Sequence, residues 1–439
     1  MKKITIGDFL NKELVDFASY DNLRKIASAI DGQKNASRKV LYTVMDKNIK
    51  DEIKVSQLDS KAAEYADYLH GSMSNVITNM ACNYTGSNNL NLLHPEGNFG
   101  TRFENAASAP RYIFTHKSAN LEQLFNSEDR AILTFQTFEG NDIEPLFYLP
   151  NLPLILINGS EGVSSGFAQK VLPRSAENIK KAVKSFLSEE KIKDEFLIPS
   201  YNGYTGEIVQ GDSEKQWLIK GVINKISANK LQISEIPVGY GLKDYLKVLD
   251  DLEDNKTISS YKDKSENDRF LFEITMSPKD LRELSDEELL VKLKLIKKVS
   301  ENYTCMNELN KIQVFENAKE ILEYFCNVKL KYLQKRKDFQ LYNLEEEIKY
   351  DFSKYLFIKN IVEEKLTIAK RKKSEIEADL ENIDKILKKD NSFDYLLNMN
   401  LLSLTEERMK KLTDDIASKK VKLDDLKNKD IKQIWIEEL

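Results

Sequence analysis

Apolar side chains recur at three- and four-residue intervals over several stretches of this chain, and each stretch predicts a helix with one buried face. Leu58, Ala62, Tyr65, Ala66 and Leu69 predict one over residues 57–69. His70-Gly71-Ser72 interrupts it, glycine as a stop and serine as an N-cap, and a second helix is predicted over 73–84. Helix, short glycine turn, helix is the outline of a helix-turn-helix. Beyond residue 150 the pattern changes. The run 154–157 before Asn158-Gly159 predicts a buried strand and a turn. Residues 217–226 and 231–236 flank Ala228-Asn229-Lys230 and predict a hairpin. A helix is predicted over 242–252, and 269–275 alternates as a strand with Phe270, Phe272 and Ile274 on one face. From about residue 316 glycine and proline all but vanish. Leu341, Leu344, Ile348, Phe352 and Tyr355 keep helical spacing, as do Met409, Leu412, Ile416, Leu423 and Leu426, with Lys419 at one seam position. Two long coiled-coil arms are predicted, joined through an apolar tip at 393–404.

These textures divide the chain into an arm at 1–20, then 21–150, 151–300 and 301–439, and 439 residues suffice for two or three cores. With 41% hydrophobic and 31% charged residues the composition is that of a soluble globular protein. No apolar run approaches the ~18 residues that cross a bilayer. The first residues, MKKITIGDFL, lack the continuous apolar segment of a signal peptide, so a cytoplasmic location without membrane partners is expected. Three cysteines, far apart and odd in number, argue against both a disulfide framework and a cysteine zinc site. A net charge of -5 sits awkwardly with a nucleic-acid partner, but local clustering counts for more. Between residues 24 and 54, Arg24, Lys25, Lys34, Arg38, Lys39, Lys47, Lys50 and Lys54 face only Asp31, Asp46, Asp51 and Glu52. That excess fits either a solvated helix face or a phosphate-binding one.

Common catalytic signatures are missing: no Walker A loop, no dinucleotide-binding glycines, no HExxH and no GxSxG. With only His70, His94 and His116, and no convincing acidic triplet, a metal site in this chain is not expected. Residues 91–115 read NLLHPEGNFGTRFENAASAPRYIFT, a glycine loop followed by Arg111-Tyr112. From the residues alone, Tyr112 is either a nucleophile or an ordinary tyrosine hydrogen-bonded through its hydroxyl.

This run resembles the breakage-reunion region of type IIA DNA topoisomerases, in a version closer to the eukaryotic and T-even bacteriophage enzymes than to bacterial gyrase. Other stretches resemble the same family in order: Asp31-Gly32-Gln33-Lys34 with Ser37-Arg38-Lys39-Val40-Leu41, Tyr68-Leu69-His70-Gly71, Gly86-Ser87-Asn88-Asn89, Ile157-Asn158-Gly159-Ser160-Glu161-Gly162, Thr205-Gly206-Glu207-Ile208, Ile236-Pro237-Val238-Gly239 and Ser403-Leu404-Thr405-Glu406. A separate cleavage chain of this kind resembles the medium subunit of tailed-phage topoisomerases. The resemblance implies a multidomain α+β fold: a winged-helix DNA gate, a mixed α/β tower, and a long antiparallel coiled coil ending in a helical dimer gate.

It further implies that a homodimer of this chain cuts double-stranded DNA through a 5′-phosphotyrosyl intermediate and passes a second duplex through the break. ATP and Mg²⁺ would be bound by a large partner subunit carrying the ATPase and metal-binding domains. Tyr112 would be the nucleophile, Arg111 its charge stabiliser, His70 the group that orients or deprotonates the phenol, and Arg24 and Lys34 cations around the scissile phosphate. Arg38 and Lys39 would bind the DNA backbone. Val163 stands where the family has an isoleucine that wedges between base pairs, its other reading being ordinary packing. Met73 and Ile77 match the serine and acid through which bacterial relatives bind quinolones, and their four-residue spacing places both on one helix face. Three departures stand out: Leu69 replaces one histidine of a pair, Asn35 a proline, and Gln33 an apolar residue. A non-enzymatic DNA-organising scaffold with coiled-coil arms is the alternative, and it predicts nucleotide-binding motifs that the chain lacks.

Overall fold

The computed structural model describes residues 4–400 and 403–439, and divides into two compact units, Met1–Lys329 with Glu438–Leu439 and Leu330–Glu437. In the first unit, helix α1 (Leu14–Lys25) follows two short helical turns, Ile6–Asp8 and Phe9–Glu13. The expected limit between residues 20 and 21 falls inside this helix. Along its approach and first turns Ile6, Phe9, Leu10, Val15 and Phe17 are exposed. Helices α2 (Asn35–Asp46), α3 (Val55–Tyr65) and α4 (Ser74–Ala81) then pack around a core of Val40, Leu41, Val44, Leu58, Met73, Ile77 and Ile113. Against them lies a three-stranded antiparallel sheet, β1 (Ile53–Lys54), β2 (Leu93–Glu96) and β3 (Phe114–Lys117), in the order β1-β3-β2. Ile53 pairs with Thr115, and His94 with His116.

The expected glycine turn separates α3 from α4. Asp59 on α3 closes it, its carboxylate accepting from the Met73 N–H at 2.8 Å and the Ser74 hydroxyl at 2.6 Å. The N-cap position is Met73, not the expected serine, and the Ser72 hydroxyl only steadies the turn before it, accepting from the Ser74 N–H at 3.1 Å.

Residues 154–157 are not a strand. They form most of the short helix Leu154–Asn158, with all four apolar side chains buried. A run buried on every side carries no period by which strand and helix can be told apart, and the strand starts only afterwards. β4 (Ser160–Ser164) pairs with β5 (Phe167–Val171) as a hairpin.

Nor is 217–226 a single strand. β6 (Glu207–Gln210) and β12 (Ile296–Ser300) flank β7 (Gln216–Lys220), while β8 (Val222–Ser227) belongs to another sheet. The chain crosses over at Gly221, where a Cβ would lie 2.5 Å from the Glu235 carbonyl oxygen. The predicted hairpin forms between β8 and β9 (Lys230–Glu235), and β11 (Phe272–Thr275) and β10 (Ser260–Asp263) complete the order β8-β9-β11-β10. Helix α5 (Leu242–Asp254) covers it, burying Tyr245, Leu249 and Leu252 against Leu231, Ile233, Phe270, Phe272 and Ile274. Residues 269–275 thus alternate as predicted.

In the second unit, α6 (Ala318–Val362, most of which lies here) runs antiparallel to α7 (Glu406–Asn428). The direction is fixed by ion pairs: Lys419 meets Asp351 at 2.7 Å and Glu347 at 2.8 Å, and Lys427 meets Glu345 at 2.8 Å. The polar seam residue is therefore answered by acids of the facing helix. The apolar stretch between the arms is not a bare tip. Helices Lys373–Glu381 and Asp394–Leu397 build a local core in which Phe393 and Leu396 pack with Phe357, Ile358, Leu366, Leu380 and Leu412. Leu396 is fully buried, and Leu401 and Leu402 lie outside the described residues. Among the described residues no helix is long and apolar enough to cross a membrane.

Candidate active site

Tyr112 ends a long loop between β2 and β3, and its neighbours fix it. Ile113 is buried in the core, and its carbonyl accepts the Val55 N–H at 3.0 Å, while that of Pro110 accepts the Ser56 N–H at 3.2 Å. The loop is thus stapled to the first turn of α3. With Ile113 turned inward, Tyr112 points out and is 66% exposed. The Arg111 guanidinium carbon lies 5.0 Å from the Tyr112 ring centroid, within cation–π range. Among the described residues no group hydrogen-bonds the Tyr112 hydroxyl. A phenol that stabilises nothing in the fold is free for a substrate.

His70, Arg24, Lys34 and the hairpin carrying Val163 are linked to one another through the C-terminal half of α1. The Tyr20 hydroxyl bonds Nε2 of His70, and the Tyr68 ring stands edge-on to the imidazole at 5.7 Å. Arg24 lies 5.7 Å from the Tyr20 ring centroid. The same helix holds the β4–β5 hairpin: Asn22 accepts from the Ser164 hydroxyl at 2.6 Å, and Asp21 from the Ser165 N–H at 2.9 Å. Gly162 makes the close approach, since a Cβ there would stand 2.1 Å from the Lys25 carbonyl oxygen. Strand alternation does the rest. Gly162 and Ser164 face α1, so Glu161 and Val163 face outward, and Val163 is 71% exposed. Lys34 donates to the Glu161 carbonyl at 2.6 Å, and burial holds its ammonium below the usual lysine pKa despite the Glu161 charge. Among the described residues no hydrogen bond or ring contact joins Tyr112 to His70, Arg24 or Lys34.

Two expected backbone contacts are corrected. Arg38 and Lys39 are 5% and 6% exposed and have spent their charges inside the fold. Arg38 grips Asp31 through Nε at 2.8 Å and Nη2 at 3.1 Å, and Lys39 pairs with Glu144 at 2.8 Å and also bonds the Ala66 carbonyl. Burial penalises the Arg38 charge, but Asp31 outweighs that and raises its pKa. Neither side chain is available to a phosphate. The quinolone positions are corrected too. Met73 and Ile77 do share one face of α4, but it is the inner face, and both are fully buried. Arg102 of the glycine loop is also structural, donating to the carbonyls of Tyr240 at 2.6 Å and Ile236 at 3.0 Å.

Two of the three departures settle into polar links. Asn35 donates to Glu144 at 3.2 Å and Gln33 to the Asp31 carbonyl at 3.2 Å, while Leu69 is 81% exposed. Among the described residues no group of three or more His, Cys, Asp or Glu side chains could hold a metal ion. Tyr20, Asp21 and Asn22 carry no signal in the sequence for this role, because His70, Ser165 and Ser164, which they meet here, stand 50 or more residues away.

Known proteins share this chain's sequence pattern and fold. The family model for the A-subunit of DNA gyrase/topoisomerase IV matches residues 24–439. The chain is 34% identical over 453 residues to the mitochondrial DNA topoisomerase 2 of Dictyostelium discoideum, covering 100% of this chain and 35% of that protein. It is 32% identical over 495 residues to DNA topoisomerase 2 of Saccharomyces cerevisiae, covering 99% and 34%. The crystal structure of the Plasmodium falciparum topoisomerase II DNA-binding, cleavage and re-ligation domain superimposes with a TM-score of 0.85 at 32% identity, over 98% of this chain and 63% of that one. The chain spans about a third of the length of the curated relatives it matches. Its mixed α+β architecture is that of the cleavage and re-ligation domain, and with the family profile matched from Arg24 to its last residue, the chain belongs to the DNA gyrase/topoisomerase IV A-subunit family.

Proposed function

We propose that this chain is the breakage-reunion subunit of an ATP-dependent type II topoisomerase, making a transient double-strand break through which another duplex passes. The observation that carries this reading is the exposed Tyr112 with an unbound hydroxyl beside Arg111, at the end of a loop stapled to a helix-turn-helix. A free phenol has a pKa of about 10 and attacks poorly until its proton is lost. Tyr112 Oη forms a bond to a backbone phosphorus, the bond from that phosphorus to the 3′ oxygen breaks, and the phenolic proton is exchanged for one on the 3′-hydroxyl. One phosphodiester replaces another, so resealing needs no high-energy donor. Arg111 stabilises the charge developing on the phosphorus oxygens, and His70, Arg24 and Lys34 supply donors and cations to the same phosphate. Val163, the outward apolar tip of its hairpin, wedges between base pairs and bends the duplex.

The finer architecture follows the same reading. Helices α2 to α4 with the β1-β3-β2 sheet make a winged-helix DNA gate, the β8-β9-β11-β10 sheet and α5 a tower, and α6 and α7 a coiled coil leading to a dimer gate. The metal ligands and the ATPase are assigned to a large partner subunit on the family resemblance. The exposed apolar side chains before and along α1 offer that partner a surface. Double-stranded DNA, a second copy of this chain and the large subunit are the partners. The site of action is the cytoplasm, a host's if the chain is phage-encoded, and its likeness to a phage medium subunit stays part of this proposal.

The test is denaturant trapping of protein on DNA ends with the chain and its partner. Wild type should give covalent adducts, and Tyr112→Phe none, with DNA binding nearly unchanged. Adducts at wild-type levels from Tyr112→Phe would overturn the assignment, and DNA binding by wild type without any adduct would favour the scaffold reading.

A further inference from the structure

Tyr20 and Arg24 stand one helical turn apart on the same face of α1, and Tyr20 reaches across to the turn between α3 and α4. Its hydroxyl bonds Nε2 of His70, with the ring centroids 5.5 Å apart, and the Arg24 guanidinium lies 5.7 Å from the centre of its ring. One tyrosine therefore touches two of the residues assigned to the scissile phosphate, which come from segments far apart in the chain. We propose that Tyr20 is a positioning residue for cleavage, fixing the orientation and tautomer of His70 while holding Arg24 beside it. The inference rests on the cleavage function proposed for this site.

With the phenol O–H donating to the Nε2 lone pair, the imidazole carries its proton on Nδ1. His70 then presents an N–H donor to a phosphate oxygen instead of a lone pair to the Tyr112 proton. The arrangement is stiff where it matters. The Tyr68 ring also stands edge-on to the imidazole, and α1 is tied to the hairpin carrying Val163 through Asp21, Asn22 and Gly162. The charged and titratable groups around His70 are Tyr20, Tyr68 and, one contact further, Arg24, with the Asp21–Lys25 pair at 2.9 Å on the next face of α1. Nothing in the core depends on the Tyr20 hydroxyl, since the residue is 47% exposed.

The experiment uses the chain with its partner subunit and measures single-turnover cleavage from covalent adducts. The variants are Tyr20→Phe, His70→Ala and the two combined. Tyr20→Phe keeps the ring over Arg24 and removes only the hydroxyl. It should cut cleavage roughly 10- to 100-fold, with DNA affinity within about twofold and an unchanged Tm. The double variant should be no slower than His70→Ala alone, as expected of a residue that acts through another. Wild-type cleavage by Tyr20→Phe would overturn the proposal, as would losses that simply multiply in the double variant. If wild type itself forms no adduct, it is the cleavage reading that fails, a different and distinguishable result.

Discussion

Arg38→Met separates two accounts of the same residue. By motif Arg38 is a DNA-backbone contact, whereas in the fold it neutralises Asp31, with side-chain exposures of 6% and 0% for the pair. Asp31 accepts four hydrogen bonds: two from Arg38 and one each from the N–H groups of Gln33 and Tyr148, both at 2.9 Å. Methionine fills similar volume but removes two of the four donors and the countercharge. A buried carboxylate left without its partner costs about 3–5 kcal/mol. Unfolding entropy is about 2.1 cal/mol/K per residue, so for a unit of this size the loss is roughly 4–7 °C in Tm. Asp31→Asn in the same chain should recover half or more of it, because the uncompensated charge is gone. The assay pairs thermal unfolding with DNA titrations at several salt concentrations. A lost phosphate contact would lower the slope of log K against log salt by about 0.9. We expect lower stability with an unchanged slope. A variant with wild-type Tm and a slope smaller by about one would refute the burial argument and return Arg38 to the DNA surface.

Val163→Ala removes about 50 Å² of apolar wedge, worth roughly 1.3 kcal/mol, so cleavage should fall about tenfold while affinity changes little; unchanged DNA bending by end-to-end energy transfer would contradict this. Gly162→Ala forces the hairpin to back away from the Lys25 carbonyl by about an ångström, at about 1–3 kcal/mol, and should lower both Tm and cleavage. A variant matching wild type in both would show that the approach is looser than described. Met73→Ser with Ile77→Asp places a hydroxyl and a carboxylate in the core, and should destabilise the first unit by about 5 kcal/mol or more instead of creating a drug site. A folded double variant that gains quinolone sensitivity would put α4 the other way round.

Much of the architecture is legible in the sequence because it depends on near neighbours. Helical spacing from Leu58 to Tyr65, the hairpin around Ala228-Asn229 and the alternation of Phe270, Phe272 and Ile274 all reflect periods set by one turn of helix or one strand pleat, although the helix ends at Tyr65 and leaves the predicted Leu69 exposed. The order of motifs from Asp31 onward is likewise a linear property, and it carries the family. Other features were decided only in three dimensions. The spacing of Met73 and Ile77 says that they share a face, but which face is buried depends on α2 and the sheet packed against it. Arg38 and Lys39 read as free cations until the fold brings Asp31 and Glu144 to them, the latter from 105 residues away. The run 154–157 is apolar on every side and carries no period, so its conformation was left to its surroundings, and Gly221 breaks a continuous strand pattern because another backbone passes too close for a side chain. Tyr20 meets His70 across 50 residues of chain. A period records what a residue's neighbours in sequence require, whereas burial and charge pairing are set by whichever distant segment arrives opposite, and that is a property of the folded chain alone.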